Sequence, residues 1–246
     1  MKIIAVYNIK GGVGKTAAAV NLGYLSARQG LRTLVWDLDP QGASSYYFRI
    51  KAKVKAPKKL VKGKRNPLSA VKATDFEGLD LMPADFAFRN LDLLLEDLKR
   101  PVKRLTKLLQ PLSEEYDRIY LDCPPSISLV SENVFTASSA LVVPTIPTTL
   151  SLRTLDQLRG FLVENKMKKL PVWPMLSMVD RRKRMHKEVL ENPPKNCFKT
   201  AIPYASCVEM MGEHREPVLA FAPNCNASGA FKGVWKELEK RLKKVK

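Results

Sequence analysis

The segment Lys10-Gly11-Gly12-Val13-Gly14-Lys15-Thr16 constrains this chain more than any other. It follows an apolar run, Ile3-Ile4-Ala5-Val6-Tyr7, that reads as a buried strand. It precedes Ala17-Ala18-Ala19-Val20-Asn21-Leu22, which reads as a helix. Strand, glycine-rich loop and helix in that order make a phosphate-binding loop. The glycines let backbone N–H groups curl around phosphate oxygens, and the helix N-terminus adds positive potential. In this reading Gly11, Gly12, Val13, Gly14, Lys15, Thr16 and Ala17 line the nucleotide. Lys15 reaches the β- and γ-phosphates, and the Thr16 hydroxyl ligates Mg²⁺.

The loop departs from the general G-x-x-x-x-G-K-[ST] pattern, because Ile9 stands where the first glycine belongs and a second lysine, Lys10, follows it. One lysine suffices for one triphosphate. The second needs its own anion, such as a nucleotide held by another copy of the chain, or else it is a solvated loop residue.

Two carboxylate motifs follow. Asp37-Leu38-Asp39-Pro40-Gln41-Gly42 comes after the strand Leu31–Trp36, and Asp122-Cys123-Pro124-Pro125-Ser126 ends the strand that starts near Tyr116. The C-terminal ends of strands in open α/β sheets are where ligands bind. Asp37 and Asp122 are candidate Mg²⁺ ligands, the latter in the Walker B position, and Asp39 can orient an attacking water. A strand-end aspartate alone is often a helix cap. Three motifs in order, each at a strand end, are specific.

These residues resemble the ParA/MinD family of deviant Walker A ATPases. The resemblance rests on Lys10–Thr16, Asp37–Gly42 and Asp122–Ser126, with a weaker echo from Thr200-Ala201-Ile202-Pro203 to Pro217. It implies a P-loop NTPase architecture, ATP and Mg²⁺ as cofactors, and slow, partner-stimulated hydrolysis. It also implies an ATP-sandwich homodimer in which Lys10 acts on the partner's phosphates and Asp39 helps place the hydrolytic water. In similar proteins the stretch after Ile-Pro borders the base, which makes Pro203 a nucleotide contact and places an adenine-side loop within Glu209–Glu216. One departure is Ala17, where the family usually carries a second hydroxyl that can meet the α-phosphate.

Composition bears on partners. With 246 residues, 45% of them hydrophobic, the chain can bury one sizeable core. One α/β domain over residues 1–246 is the economical reading. Cys123, Cys197, Cys207 and Cys225 form no C-x-x-C pair and read as reduced thiols, which argues against iron–sulfur carriers. The first strand starts at Lys2, so no secretory leader is expected, and no apolar run approaches the ~20 residues that span a bilayer.

The net charge is +18. It concentrates in Lys51–Arg65, a proline- and glycine-interrupted stretch expected to be an exposed loop or mobile insertion at about 51–66. A second cluster is Arg181, Arg182, Lys183, Arg184 and Lys187, and a third is the tail from Lys232 to Lys246. Basic runs are usually solvated faces, but three without acidic counterparts favour a polyanion. Little aromatic interleaving argues against base stacking on single strands. The sequence therefore predicts non-specific contact with duplex phosphates, assigned to the Arg181–Lys187 cluster.

Elsewhere the patterning alternates. Leu79–Pro83, Ala140–Pro144, Val172–Val179 and Phe198–Ile202 read as strands. Phe88–Leu109, split near Pro101, and Ser128–Ser139 read as helices, as does a Ser151-capped run to about Glu164. This alternation predicts an α/β fold with a mostly parallel, doubly covered sheet. The last helix carries an apolar stripe, Phe231, Val234, Trp235, Leu238, Leu242 and Val245. It either packs on the sheet or lies on an anionic membrane. His186 and His214 read as surface or structural residues, lacking partners at metal-ligand spacing.

Together these readings predict a cytoplasmic, nucleoid-associated ATPase. It dimerises on ATP, binds DNA non-specifically and positions a cargo (a plasmid, chromosome region, carboxysome or protein cluster) with a ParB-like or cargo-adaptor protein that stimulates hydrolysis. The alternative is a MinD-like membrane-associated regulator of division-site placement. A small-molecule kinase fits Lys10 and the Asp-x-Asp-Pro-Gln motif less well.

Overall fold

The computed structural model describes residues 1–96 and 101–245. Seven strands form one sheet: β1 (Lys2–Val6), β2 (Thr33–Asp37), β3 (Lys72–Ala73), β4 (Leu79–Met82), β5 (Arg118–Asp122), β6 (Ala140–Thr145) and β7 (Val172–Leu176). Their spatial order is β3-β4-β2-β5-β1-β6-β7. All pairings are parallel except β3 with β4, a short antiparallel edge.

Both faces of the sheet are covered, and alternation along β1 shows how. Ile3, Ala5 and Tyr7 face one core with Trp36, Leu121 and Phe135. Ile4 and Val6 face the other with Leu22, Tyr120 and Phe231. Fully buried side chains such as Leu22 and Leu34 each contribute ~2 kcal/mol by leaving water. The helix Lys15–Arg28 lies so close to the sheet that a Cβ added at Gly23 would meet the Val35 side chain at 2.6 Å.

The last helix, Asn226–Leu242, buries Phe231, Val234, Leu238 and Leu242 in the second core. Its Trp235 indole donates to Ser26 Oγ at 2.9 Å, and its Glu239 pairs with Arg118 at 2.6 Å. The apolar stripe is thus core, and Lys246 lies outside the described residues.

Several elements differ from expectation. Phe198–Ile202 is not a ladder strand. Phe198 and Ile202 do donate N–H bonds to Pro174 and Leu176, but the N–H groups of Lys199 and Thr200 between them are taken by the Glu237 carboxylate, both at 2.8 Å. The helix expected to start at Ser151 starts at Thr149, with Ser151 buried inside its first turn. The expected helix Phe88–Leu109 spans residues 97–100, which lie outside the described residues. On either side of them stand a 3₁₀ turn and helix, Phe86–Asn90 and Leu91–Glu96, and another pair, Pro101–Lys103 and Arg104–Leu109. Cys207 and Cys225 are joined in a disulfide, leaving Cys123 and Cys197 free, so the reading of four reduced thiols is corrected for two of them. The apposition comes from folding the segment after Pro203 back onto the last helix, which spacing in the chain does not reveal.

Within the basic stretch Lys51–Arg65, a helix over Pro57–Val61 buries Leu60 and Val61 in the first core, with Val54 beside them. Its lysines are exposed, but its backbone is anchored rather than looped free.

Candidate functional site

The three sequence motifs meet because of strand order. β5 lies between β1 and β2, and the register sets Asp122 beside Val6 on one side and Asp37 on the other. The phosphate loop leaves β1 directly above this pair.

Gly12 and Gly14 adopt φ of 67° and 89°, in the left-handed region that favours glycine. They turn the loop so that the helix opens at Lys15, with no acidic residue in its first turn. Side chains outside the motif pin the loop. Asn8 donates from Nδ2 to the Pro144 carbonyl at 2.7 Å and accepts the Lys10 N–H at 2.9 Å. Ser177 Oγ donates to the Val13 carbonyl at 2.9 Å, and Val13 is fully buried. Lys15 is 7% exposed and its ammonium donates to the Lys10 carbonyl at 3.0 Å. Burial holds its pKa below the ordinary lysine value, against the pull of Asp122. Lys10 is half-buried at the loop's shoulder, and its ammonium makes no ion pair among the described residues.

Asp37 and Asp122 are both fully buried. One oxygen of each is satisfied. Asp37 Oδ2 accepts from Ser45 N at 2.8 Å and Ser45 Oγ at 2.7 Å, and Asp122 Oδ2 accepts from Ser44 Oγ at 2.7 Å. The other oxygen of each, Asp37 Oδ1 and Asp122 Oδ1, has no hydrogen-bond partner among the described residues. Burial pushes both carboxyls above the usual carboxylate range, Asp37 further because of Asp122. The hydroxyls of Ser44 and Thr16 pull Asp122 partly back.

Buried carboxylate oxygens without donors are costly unless a cation meets them. Among the described residues no three His, Cys, Asp or Glu side chains stand together as a full ligand set. Two carboxylates and the Thr16 hydroxyl therefore leave most positions to phosphate and water, the habit of Mg²⁺ rather than of a metal caged by protein. The residues fit that ion.

Asp39 is half-exposed at the end of the same segment, where its Oδ1 accepts the Gln41 N–H at 2.9 Å. Pro203 and Ala17 line a common cleft with Gly14, Ser177, Tyr204 and Glu209, so the segment after Ile202 does reach the phosphate loop. Tyr204 donates its hydroxyl to Glu209 at 2.6 Å there.

The basic cluster lies apart, after β7. Arg182 is 89% exposed but chelates Asp180 through Nε and Nη2, both at 2.9 Å, and Arg184 pairs with Glu188 at 2.7 Å. Arg181, Lys183 and Lys187 are exposed. His186 is buried, and its Nδ1 accepts the Asp180 N–H at 3.0 Å. It is a structural residue that shapes this turn.

Sequence reasoning missed Asn8, Ser44, Ser45 and Ser177. Ser44 and Ser45 follow the Asp37–Gly42 motif after Ala43 alone, so two adjacent hydroxyls in the first turn of a helix beside an acidic strand end were the available signal. Asn8 and Ser177 act through backbone groups and carry no such signal.

Comparison with known proteins agrees with this geometry. Residues 1–170 match the family model described as an AAA domain. The chain is 32% identical to the sporulation initiation inhibitor protein Soj of Bacillus subtilis, over 96% of this chain and 98% of that protein. It is 29% identical to the chromosome partitioning protein ParA of Caulobacter vibrioides, over 98% and 95%. Among solved structures, a plasmid partition protein of Borrelia burgdorferi bound to AMPPNP superposes with a TM-score of 0.85 at 23% identity, covering 98% of this chain and 99% of that one. A cobyrinic acid a,c-diamide synthase of Mycobacterium smegmatis, with bound ADP and magnesium, superposes with a TM-score of 0.83 at 25% identity, covering 98% and 95%.

Proposed function

The chain belongs to the ParA/MinD family of deviant Walker A ATPases, and from that premise we propose a positioning ATPase whose ATP-bound form is a homodimer that holds duplex DNA without regard to sequence. That it is an ATPase using ATP and Mg²⁺ follows from its relatives, among which are partitioning proteins over nearly their full lengths, and from similar solved structures that hold AMPPNP or ADP with magnesium. The observation that carries the reading at the site is the pair of free carboxylate oxygens on Asp37 and Asp122, set beside Thr16 and below the glycine loop.

When bound, Mg²⁺ would neutralise charge on the β- and γ-phosphate oxygens. Asp37, Asp122 and Thr16 would hold it. Ser44 and Ser45 orient the two carboxylates by occupying their outer oxygens. Lys15 exchanges the Lys10 carbonyl for phosphate oxygens, a swap of hydrogen bonds that costs little because the chain between them is already ordered. Asp39 is exposed enough to accept a proton from, or hold, an attacking water. Gly11, Gly12, Gly14 and Ala17 offer backbone alone, and Pro203 lines the way to the base.

Dimerisation is supported by what the site leaves over. Lys10 is an ammonium that meets no anion among the described residues. Ile127 and Leu150, 43% and 66% exposed, follow β5 and β6 on the sheet edge that carries the phosphate loop. Met185, 45% exposed, follows β7 on that edge. A second copy facing this edge would cover them and bring its phosphates to Lys10. The duplex contact is assigned to Arg181, Arg182, Lys183, Arg184 and Lys187, doubled in a dimer, and a ParB-like or cargo-adaptor partner would stimulate hydrolysis. The membrane-associated alternative needs the stripe of the last helix free, and that stripe is core.

Lys10→Ala tests the reading. It should bind a fluorescent ATP analogue like the wild type while losing ATP-dependent dimerisation in light scattering. Loss of both together would place Lys10 in its own chain's site. Asp39→Ala should bind ATP, hydrolyse slowly and accumulate as dimer; a variant still monomeric with saturating ATP and Mg²⁺ would refute its role.

A further inference from the structure

The anchored basic stretch makes a second charged surface, at the opposite edge of the sheet from Arg181–Lys187. Lys51, Lys53, Lys55, Arg65 and Lys72 line one groove, with Ser69 and Ala73 in its wall. Arg65 also lines an adjoining groove with Lys64 and Lys107. No acidic residue occurs between Lys51 and Ala73. None of these cations joins an ion pair among the described residues, whereas Arg182 and Arg184 both do.

The surface is held in shape. Arg65 donates from Nε to Ser69 Oγ at 2.7 Å, from Nη2 to the Ser69 carbonyl at 3.0 Å, and to the Lys55 carbonyl. Val54 N–H donates to Asp85 Oδ2 at 2.8 Å, and Leu60 and Val61 are buried beneath. The lysine stems therefore rise from fixed backbone, with their heads in water.

We propose that this face, built from Lys51, Lys53, Lys55, Arg65 and Lys72, is a binding surface for the phosphate backbone of duplex nucleic acid, distinct from Arg181–Lys187. A row of uncompensated ammonium groups gains affinity by releasing the counterions condensed on a duplex. The face offers no aromatic residue between Lys51 and Ala73 on which a single strand could stack. Its guanidinium is engaged by the protein, leaving point charges that suit phosphate without reading bases. Strand order puts β3 and β7 at opposite edges, roughly 30 Å apart by strand spacing alone. That is several Debye lengths at physiological salt, so the two clusters act separately. The face is complete in one chain. It therefore binds duplex without nucleotide, whereas a contact made by pairing two chains waits for ATP. This inference shares with the proposed function the premise of a duplex partner, but not the residues or the nucleotide requirement.

The test is fluorescence anisotropy of a labelled duplex of mixed sequence with the full chain, across a salt series, with and without ATP and Mg²⁺. Lys53→Glu/Lys55→Glu/Lys72→Glu should weaken nucleotide-free binding by roughly 10-fold or more and reduce the log–log salt slope by roughly 2–3, at ~0.9 per lost phosphate contact. Unchanged ATP-analogue binding would show that the variant is folded. Arg181→Glu/Lys183→Glu/Lys187→Glu should leave nucleotide-free binding intact. Wild-type binding by the first variant overturns this proposal and leaves the proposed function standing. Loss of only the ATP-dependent increment in the second supports both. A face that captures polyglutamate as tightly as duplex belongs to an acidic protein partner and overturns the proposal, and a wild type that binds no duplex in any state overturns both readings.

Discussion

Asp122 and Arg182 are both charged and both hydrogen-bonded, yet they sit at opposite extremes of exposure. Asp122 is fully buried with one oxygen unsatisfied, and Arg182 is 89% exposed with its acidic partner two residues away. Charge at the phosphate end acts in a low-dielectric setting, where each group lacks water to replace a lost partner. Charge on the Arg181–Lys187 rim is screened and locally compensated, and exposed pairs of that kind are worth ~0–1 kcal/mol. Single substitutions should therefore decide function at the first region, and only groups of substitutions at the second.

The largest effect should come from Lys15→Ala. It removes charge-assisted bonds to phosphate worth about 3 kcal/mol, or a loss of roughly 100-fold in ATP affinity. Isothermal titration measures this directly, and a loss under ~5-fold would break the contrast at its stronger end. Next is Ser45→Ala. It frees Asp37 Oδ2 from a hydroxyl donor at 2.7 Å. Groups that orient metal ligands typically matter by ~10-fold, so the Mg²⁺ dependence of nucleotide binding should shift by about that factor while metal-free folding persists.

Arg182→Glu with Arg184→Glu sharpens the comparison on the rim. It should cost roughly two units of salt slope in ATP-dependent duplex binding, with ATPase turnover without DNA intact. Arg182→Ala alone should lower that slope by about one unit or less, because Asp180 partly compensates this guanidinium in the free chain.

The smallest effect concerns pH. Burial, with Lys183 adding to it, holds His186 below the usual histidine value, and its Nδ1 must be neutral to accept the Asp180 N–H. With the folded pKa depressed, the contribution is present above the unfolded value of about 6.5 and is lost as pH falls through the folded value. His186→Asn keeps an acceptor that does not titrate. Between pH 7.5 and pH 5.5 the wild type should lose about 2–4 °C more in Tm than the variant, the shift that ~1 kcal/mol produces in a chain of this size. Equal losses would show that His186 does not shape the rim in this way.

Legibility followed the range of the interaction. The phosphate loop, the strands before Asp37 and Asp122, and the parallel sheet were readable because glycine conformation, apolar alternation and strand–helix alternation act over a few residues. The failures were long-range. Phe198–Ile202 has the composition of a strand, but a carboxylate from the last helix, Glu237, takes two of its N–H groups. Lys51–Arg65 reads as a loop because its charges outnumber its apolar residues, yet Leu60 and Val61 have a core to enter. The Cys207–Cys225 bond joins residues 18 apart in the chain, whose meeting depends on how the last helix docks.

The sequence by itself therefore determined the candidates for holding phosphate and metal, since their chemistry and spacing are written within single strand–turn segments. Tertiary structure alone decided how they work together. Strand β5 falls between β1 and β2, so Asp37 and Asp122 become neighbours although far apart in the chain. Burial then strips one oxygen of each of its water, and Asn8, Ser44, Ser45 and Ser177 supply the fixed hydrogen bonds. The same folding separates the basic clusters, pairing Arg182 and Arg184 of one with Asp180 and Glu188 and leaving the other without an ion pair among the described residues. Charge in a sequence is a count, but its effect depends on distance and dielectric, and only the packed chain sets those.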